Sequence, residues 1–215
     1  MNYKPVPALG KDRLTPFFDF LIEVVGLGTS FKKKVLERTQ LKNGERLLDV
    51  GCGTATLLIA AKSRYPDSQV IGIDADDRVL DIARKKIQDN NLEVEVVQAR
   101  AEHLPFPSSS FDVVVSTLIF HHLPTEIKQL AMREIYRVLR QDGRFLLADF
   151  GKPEGVLLKI FFALAALIQS DEARYLQDNK KGKLPLFLEE ADFEVTEVRP
   201  RYMGIPFLLA TKKEQ

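Results

Sequence analysis

RLLDVGCGTATLL, residues 46–58, decides how this chain folds. Arg46–Val50 reads as a short apolar strand with Asp49 near its end, Gly51 and Gly53 bracket a turn, and Thr54–Ala61 (TATLLIAA) opens a helix. Glycines in such a turn let backbone groups approach a ligand over the strand's carboxyl end, where a side chain at either one would stand in the way. A dinucleotide-binding turn reads G-x-G-x-x-G, its third glycine admitting close packing of helix on strand while the helix N-terminus faces a pyrophosphate. Thr56 holds that third position here. Asp49, two residues before the first glycine, would repel a pyrophosphate but can hold an ammonium, directly or through water. The turn therefore suits an amino-acid-like ligand.

Working outward, strands and helices alternate, the pattern of a parallel sheet wound with helices on both faces. QVIGID, residues 69–74, is the second strand, and DDRVLDIARKKIQ after it is an amphipathic helix. Asp74 ends that strand about 20 residues past the turn, where a carboxylate accepts both hydroxyl protons of a ribose. As a helix cap it is worse placed than Asp76 or Asp77. EVEVVQA at 93–99 is the third strand, and FDVVVSTLIFHHL at 111–123 the fourth. The fourth brings Ser116, Thr117, Phe120, His121 and His122 to the carboxyl edge, where ligands of open α/β sheets gather. Within REIYRVLRQDGRFLLADF, residues 133–150, a helix ends at Gly143 and a fifth strand, RFLLADF, follows. Asp149 closes that strand and either borders the substrate space or caps. FEVTEVRP and GIPFLLATKK form a closing strand pair, with Asp192 in a left-handed turn before it.

The flanks carry fewer signals. Thr15 caps and Pro16 starts a helix, PFFDFLIEVVG, which Gly26 and Gly28 end, and Ser30 caps a second one, FKKKVLERTQ. Its run Lys32, Lys33, Lys34 is a solvated face, or less simply an attraction to an anionic substrate or membrane. Residues 151–191 form an insertion that begins with an apolar helix, VLLKIFFALAALI at 156–168. Lys159 interrupts it and it falls short of the roughly 20 residues a bilayer requires. It packs on the sheet, or it forms an apolar lid or a peripheral membrane contact.

Composition narrows the function classes. Thirty-one basic against 30 acidic residues, net +1, leave no electrostatic footprint for nucleic acid. One cysteine excludes an internal disulfide and a cysteine metal cage, and points to a reducing, cytoplasmic setting. No secretory signal is read in MNYKPVPALGKD. Cys52 itself reads as a small residue in a tight turn. The adjacent His121 and His122 do not read as a metal site, since consecutive residues point in different directions, and no metal is expected. His121 is a general base or substrate orienter, or else a histidine packed beside the cofactor.

LLDVGCGTA, AEHLPFPSSSFD and YRVLRQDGRFLL, in this order and spacing, resemble the motifs of class I S-adenosylmethionine (SAM) dependent methyltransferases, and most of all the branch with quinone-ring, sterol and phospholipid methyltransferases. The resemblance covers residues 40–212. It implies an α/β, Rossmann-like, doubly wound sheet of seven mostly parallel strands with an antiparallel last strand and extra N-terminal helices. Residues 1–40 would be a helical cover and 41–212 the SAM-binding domain, with 151–191 inserted between strands 5 and 6. The implied cofactor is SAM. Its methionine part would lie on Asp49, Gly51, Cys52 and Gly53, its ribose at Asp74 and Ala75, and its adenine at Arg100, Ala101 and Glu102, with Ser116 bordering the site. Ala55 stands where the pattern has its third glycine, and Arg100 where an aspartate would accept the adenine amine. Arginine has no acceptor, so it either stacks on the ring or the contact is absent. The implied reaction is methyl transfer to a small, apolar or lipid-like acceptor, with His121 as candidate catalytic residue. Two other functions stay open: a non-catalytic SAM-binding protein acting through partner contacts, and an NAD(P)-dependent reductase, which would share Asp74 but need the missing third glycine.

Overall fold

A computed structural model describes residues 26–153 and 171–213. The expected helix beginning at Pro16 lies outside these residues save for its last, and so does the apolar helix at 156–168. Seven strands, β1 (Arg46–Val50), β2 (Gln69–Asp74), β3 (Glu95–Gln98), β4 (Phe111–Thr117), β5 (Leu139–Ala148), β6 (Phe193–Tyr202) and β7 (Ile205–Lys212), form one sheet in the order β3-β2-β1-β4-β5-β7-β6. β1 pairs in parallel with β2 and β4, while β7 runs antiparallel to both β5 and β6. The expected architecture, seven mostly parallel strands with an antiparallel last one, is borne out. Strand order reverses between β1 and β4, so the crevice at their carboxyl ends is the binding position of such a sheet.

Period-two alternation sorts the core onto two faces. Leu48, Val50, Ile71, Ile73, Val114 and Phe145 meet Ile127, Ala131 and Ile135 of α4 (Thr125–Val138) and Phe187 and Leu188 of α6 (Leu184–Glu190). On the other face Leu47, Val70, Val113, Val115 and Leu146 meet Phe31 and Val35 of α1 (Thr29–Thr39), Leu57 and Leu58 of α2 (Thr56–Arg64), and Leu80 and Ala83 of α3 (Asp77–Asp89). A further helix, α5 (Asp171–Lys180), stands near the carboxyl end of the sheet. Asp76 caps α3, its carboxylate accepting from Arg78 N at 3.1 Å, as its place before the helix predicts.

Several boundaries differ from expectation for local reasons. α1 starts at Thr29 after Gly28, with no side-chain cap, so Ser30 lies inside the helix. β3 is shorter than expected, spanning Glu95–Gln98. β4 stops at Thr117 because Leu118 turns to φ 58°, and Phe120–His122 form a 3-10 turn. Gly143 does not end a helix. α4 passes straight into β5 at Leu139, and pairing jumps from Phe111↔Leu139 to Val113↔Arg144, so Arg140–Gly143 bulge out of the ladder. α2 begins at Thr56 because Ala55 is left-handed, φ 63°, the conformation that the third glycine of the turn pattern allows without strain.

Candidate functional site

The glycine turn is tied to the end of β2. Gly51 N and Cys52 N both donate to Ile73 O at 2.8 Å, and Gly53 N donates to Asp74 Oδ2 at 3.0 Å. The two glycines serve different needs. Gly51 has φ 80°, and a Cβ there would meet Ile119 Cγ2 at 2.3 Å, so protein packing rather than a ligand excludes a side chain. Gly53 has φ 55° and nothing within 4 Å of such a Cβ, so its backbone faces open space in which a ligand can lie. Asp74 Oδ1 accepts from Asp76 N at 3.0 Å. Each carboxylate oxygen has more than one acceptor site, so both can still take a hydroxyl. Burial pushes this carboxyl up, against the pull of the amides of Asp76 and Gly53. Ala75 stands beside it, its carbonyl accepting from Gln98 Nε2 at 3.3 Å.

Asp49 is fully buried, and neither of its oxygens has a hydrogen-bond partner among the described residues. Burial pushes its carboxyl up to about 7, while the Lys32 ammonium opposes that rise and Asp74 adds to it. A buried carboxylate without a donor is costly unless an ammonium or similar group meets it. Lys32 was expected on a solvated face with Lys33 and Lys34. Those two are exposed, but Lys32 turns inward and its Nζ donates to Thr117 Oγ1 at the end of β4. Helical spacing is the signal: Lys32 lies three and four residues before buried Val35 and Leu36.

Across the switch point, His121 and Asp149 form a pair. His121 Nδ1 lies 2.7 Å from Asp149 Oδ1, while Phe120 N and Phe150 N each donate to the same carboxylate at 2.7 Å. Asp149 is 1% exposed. Burial alone would raise its carboxyl, but the His121 imidazole and the Phe150 amide together hold it below the usual carboxylate range. Asn179 of α5 reaches the same group, its Nδ2 donating to Asp149 Oδ1 at 3.4 Å and to Phe150 O at 2.8 Å. Its role was not legible, because nothing local joins residue 179 to residue 149. His121 and His122 do not point apart: within the 3-10 turn their ring centroids are 3.9 Å apart. Burial pushes His122 down to about 3, with His121 adding to the effect, so it is neutral. Among the described residues no three His, Cys, Asp or Glu side chains gather as a metal set.

Ala101, 8% exposed, belongs to the core beside Leu104. Arg100 Nε donates to Glu102 Oε1 at 2.5 Å, so these two candidates engage each other. Ser116 is fully buried and its hydroxyl donates to Val50 O at 2.8 Å, strapping β4 to the end of β1. Cys52 is buried against Gly72, and burial raises its thiol well above the ordinary value, with Asp49 and Asp74 adding to the rise. That suits packing and not nucleophilic attack.

The residues present fit SAM. Asp49 can take its ammonium, the open backbone at Gly53 its methionine chain and Asp74 its ribose hydroxyls. A family model described as a methyltransferase domain matches residues 47–143. The demethylmenaquinone methyltransferase of Lactobacillus johnsonii is 36% identical over 153 residues, which are 69% of this chain and 62% of that protein, so the chain spans less than two thirds of this relative's length. The ubiquinone/menaquinone biosynthesis C-methyltransferase of Pseudomonas putida is 33% identical over 180 residues, 75% of this chain and 69% of that protein. The crystal structure of a SAM dependent methyltransferase from Aquifex aeolicus shares the fold, with a TM-score of 0.67 over 83% of this chain and 88% of its own at 22% identity.

Proposed function

Because this chain belongs to the class I SAM-dependent methyltransferases, in their quinone methyltransferase branch, we propose that it moves a methyl group from SAM to a quinone-like lipid in its reduced, quinol form. The observation that carries this reading is the meeting, at one sheet edge, of the open glycine turn beside Asp49 with the His121 imidazole held by buried Asp149. The relatives' names support a quinone-like acceptor. When bound, the sulfonium supplies a methyl group open to in-line displacement by a carbon, oxygen or nitrogen nucleophile.

The chain's own residues supply position and proton control. Asp149 stays ionised near neutrality and accepts only, which assigns the His121 proton to Nδ1 and leaves Nε2 to accept a quinol proton. Fixed between Asp149, His122 and Phe150, the imidazole holds one orientation without reorganising. In this proposal residues 41–212 form the SAM-binding unit. One buried thiol suits a reducing, cytoplasmic setting.

Incubation with methyl-labelled SAM and separate demethylated quinols, phenols and phospholipids tests the reading. Label enters the quinol, and His121→Gln lowers kcat by roughly 10²- to 10⁴-fold while leaving S-adenosylhomocysteine affinity in place. Label in phospholipid alone contradicts the acceptor. Cofactor binding without turnover on any acceptor contradicts the enzyme and leaves a binding protein.

A further inference from the structure

Among the described residues, Lys32 is a charged side chain on the sheet face that carries Asp49, and no motif accounts for it. Buried Phe31, Val35 and Leu36 fix the face that α1 lays on the sheet, and that face carries Lys32 over the ends of β1 and β4. Asp49 alternates in step with Leu47, and Thr117 with Val113 and Val115, so both stand on the side of the sheet that α1 covers. Thr117 Oγ1 holds the Lys32 ammonium there. Its charge acts on Asp49, yet among the described residues the Asp49 oxygens accept no hydrogen bond, so the lysine stands near that carboxylate without closing on it. An anion and a cation are thus offered together at the mouth of the glycine turn.

An α-amino acid carries the complementary pair, an ammonium and a carboxylate on one carbon. We infer that Lys32 binds the carboxylate of the cofactor's methionine end while Asp49 takes the ammonium, so that the two residues recognise it as a zwitterion. The inference rests on the cofactor reading above and adds selection against adenosine thioethers that lack the carboxylate. Asp49 alone would accept any ammonium. A flexible, singly charged lysine stem suits an end-on partner for one carboxylate.

Titration of the purified full chain with S-adenosylhomocysteine, its decarboxylated analogue and methylthioadenosine tests it. The wild type prefers S-adenosylhomocysteine to the decarboxylated analogue by roughly 10- to 100-fold, the worth of a charge-assisted bond. Lys32→Met abolishes that preference and weakens S-adenosylhomocysteine by the same factor, leaves methylthioadenosine within about twofold, and is partly rescued by Lys32→Arg. Equal losses for S-adenosylhomocysteine and methylthioadenosine would assign Lys32 to holding α1 on the sheet, overturning the inference but not the cofactor reading. Wild-type indifference to the carboxylate overturns it without any variant having to fold. A wild type that binds none of the three removes the cofactor reading and the inference together.

Discussion

Asp49 sets ligand binding against stability within one residue. Its carboxyl stands at about 7 in the folded, ligand-free chain, against an ordinary value near 4 in the unfolded one. Between those values the folded state holds more protons than the unfolded state, so this group's contribution to stability is greatest at low pH and falls as pH rises toward neutrality. Asp49→Asn therefore raises the Tm of the ligand-free protein at pH 8, by about a few degrees in a scanning calorimeter. Cofactor binding has the opposite sign, because an ammonium favours the ionised carboxylate. Affinity for S-adenosylhomocysteine in the wild type rises between about pH 5.5 and 7.5 with proton release, and in Asp49→Asn it is weaker and flat across that range. Asp74 offers a cleaner loss: Asp74→Ala weakens the same ligand by about 1 to 3 kcal/mol through the missing charge-assisted bonds, and an unchanged affinity would remove it from the ribose site. Asp49 and Asp74 were legible as binding candidates because each is an acidic residue at the end of an apolar strand. Lys32 was hidden in a lysine run, and only the burial of its helical neighbours separates it from Lys33 and Lys34.

At the scale of elements, the glycine turn works because α2 lies close on β2. A Cβ at Gly72 would meet Leu58 Cδ1 at 2.4 Å and Cys52 Cβ and Sγ at 2.8 Å, so β2 must be bare where helix and turn cross it. Gly72→Ala is therefore expected to destabilise by about 1 to 3 kcal/mol in a urea titration, through overpacking. A variant as stable as the wild type would show that the crossing relaxes freely. β1, β2, α3 and the β6–β7 pair were legible from period and turn residues, Asp192 included, which adopts φ 66° before β6. The end of β4 and the start of β5 were not. A continuous apolar run does not mark where Leu118 leaves the sheet, and Gly143 signals a helix end as readily as the bulge it occupies.

At the scale of the molecule, the order β3-β2-β1-β4-β5-β7-β6 makes one crevice from parts far apart in the chain: the turn at 51–53, Asp74, the 3-10 turn at 120–122 and Asp149. Alternating strands and helices made that crevice foreseeable. What crosses it was not, because the bonds joining His121 to Asp149 and Asn179 to Phe150 link residues about 30 apart that no local pattern connects. In the proposed function a SAM site on one side of the switch point faces a proton-accepting His121–Asp149 pair on the other. Parallel calorimetric titration of the wild-type chain with S-adenosylhomocysteine and NADH tests this most directly. The account predicts saturable binding of S-adenosylhomocysteine and none of NADH, whose pyrophosphate Asp49 would repel; binding of NADH alone would contradict it.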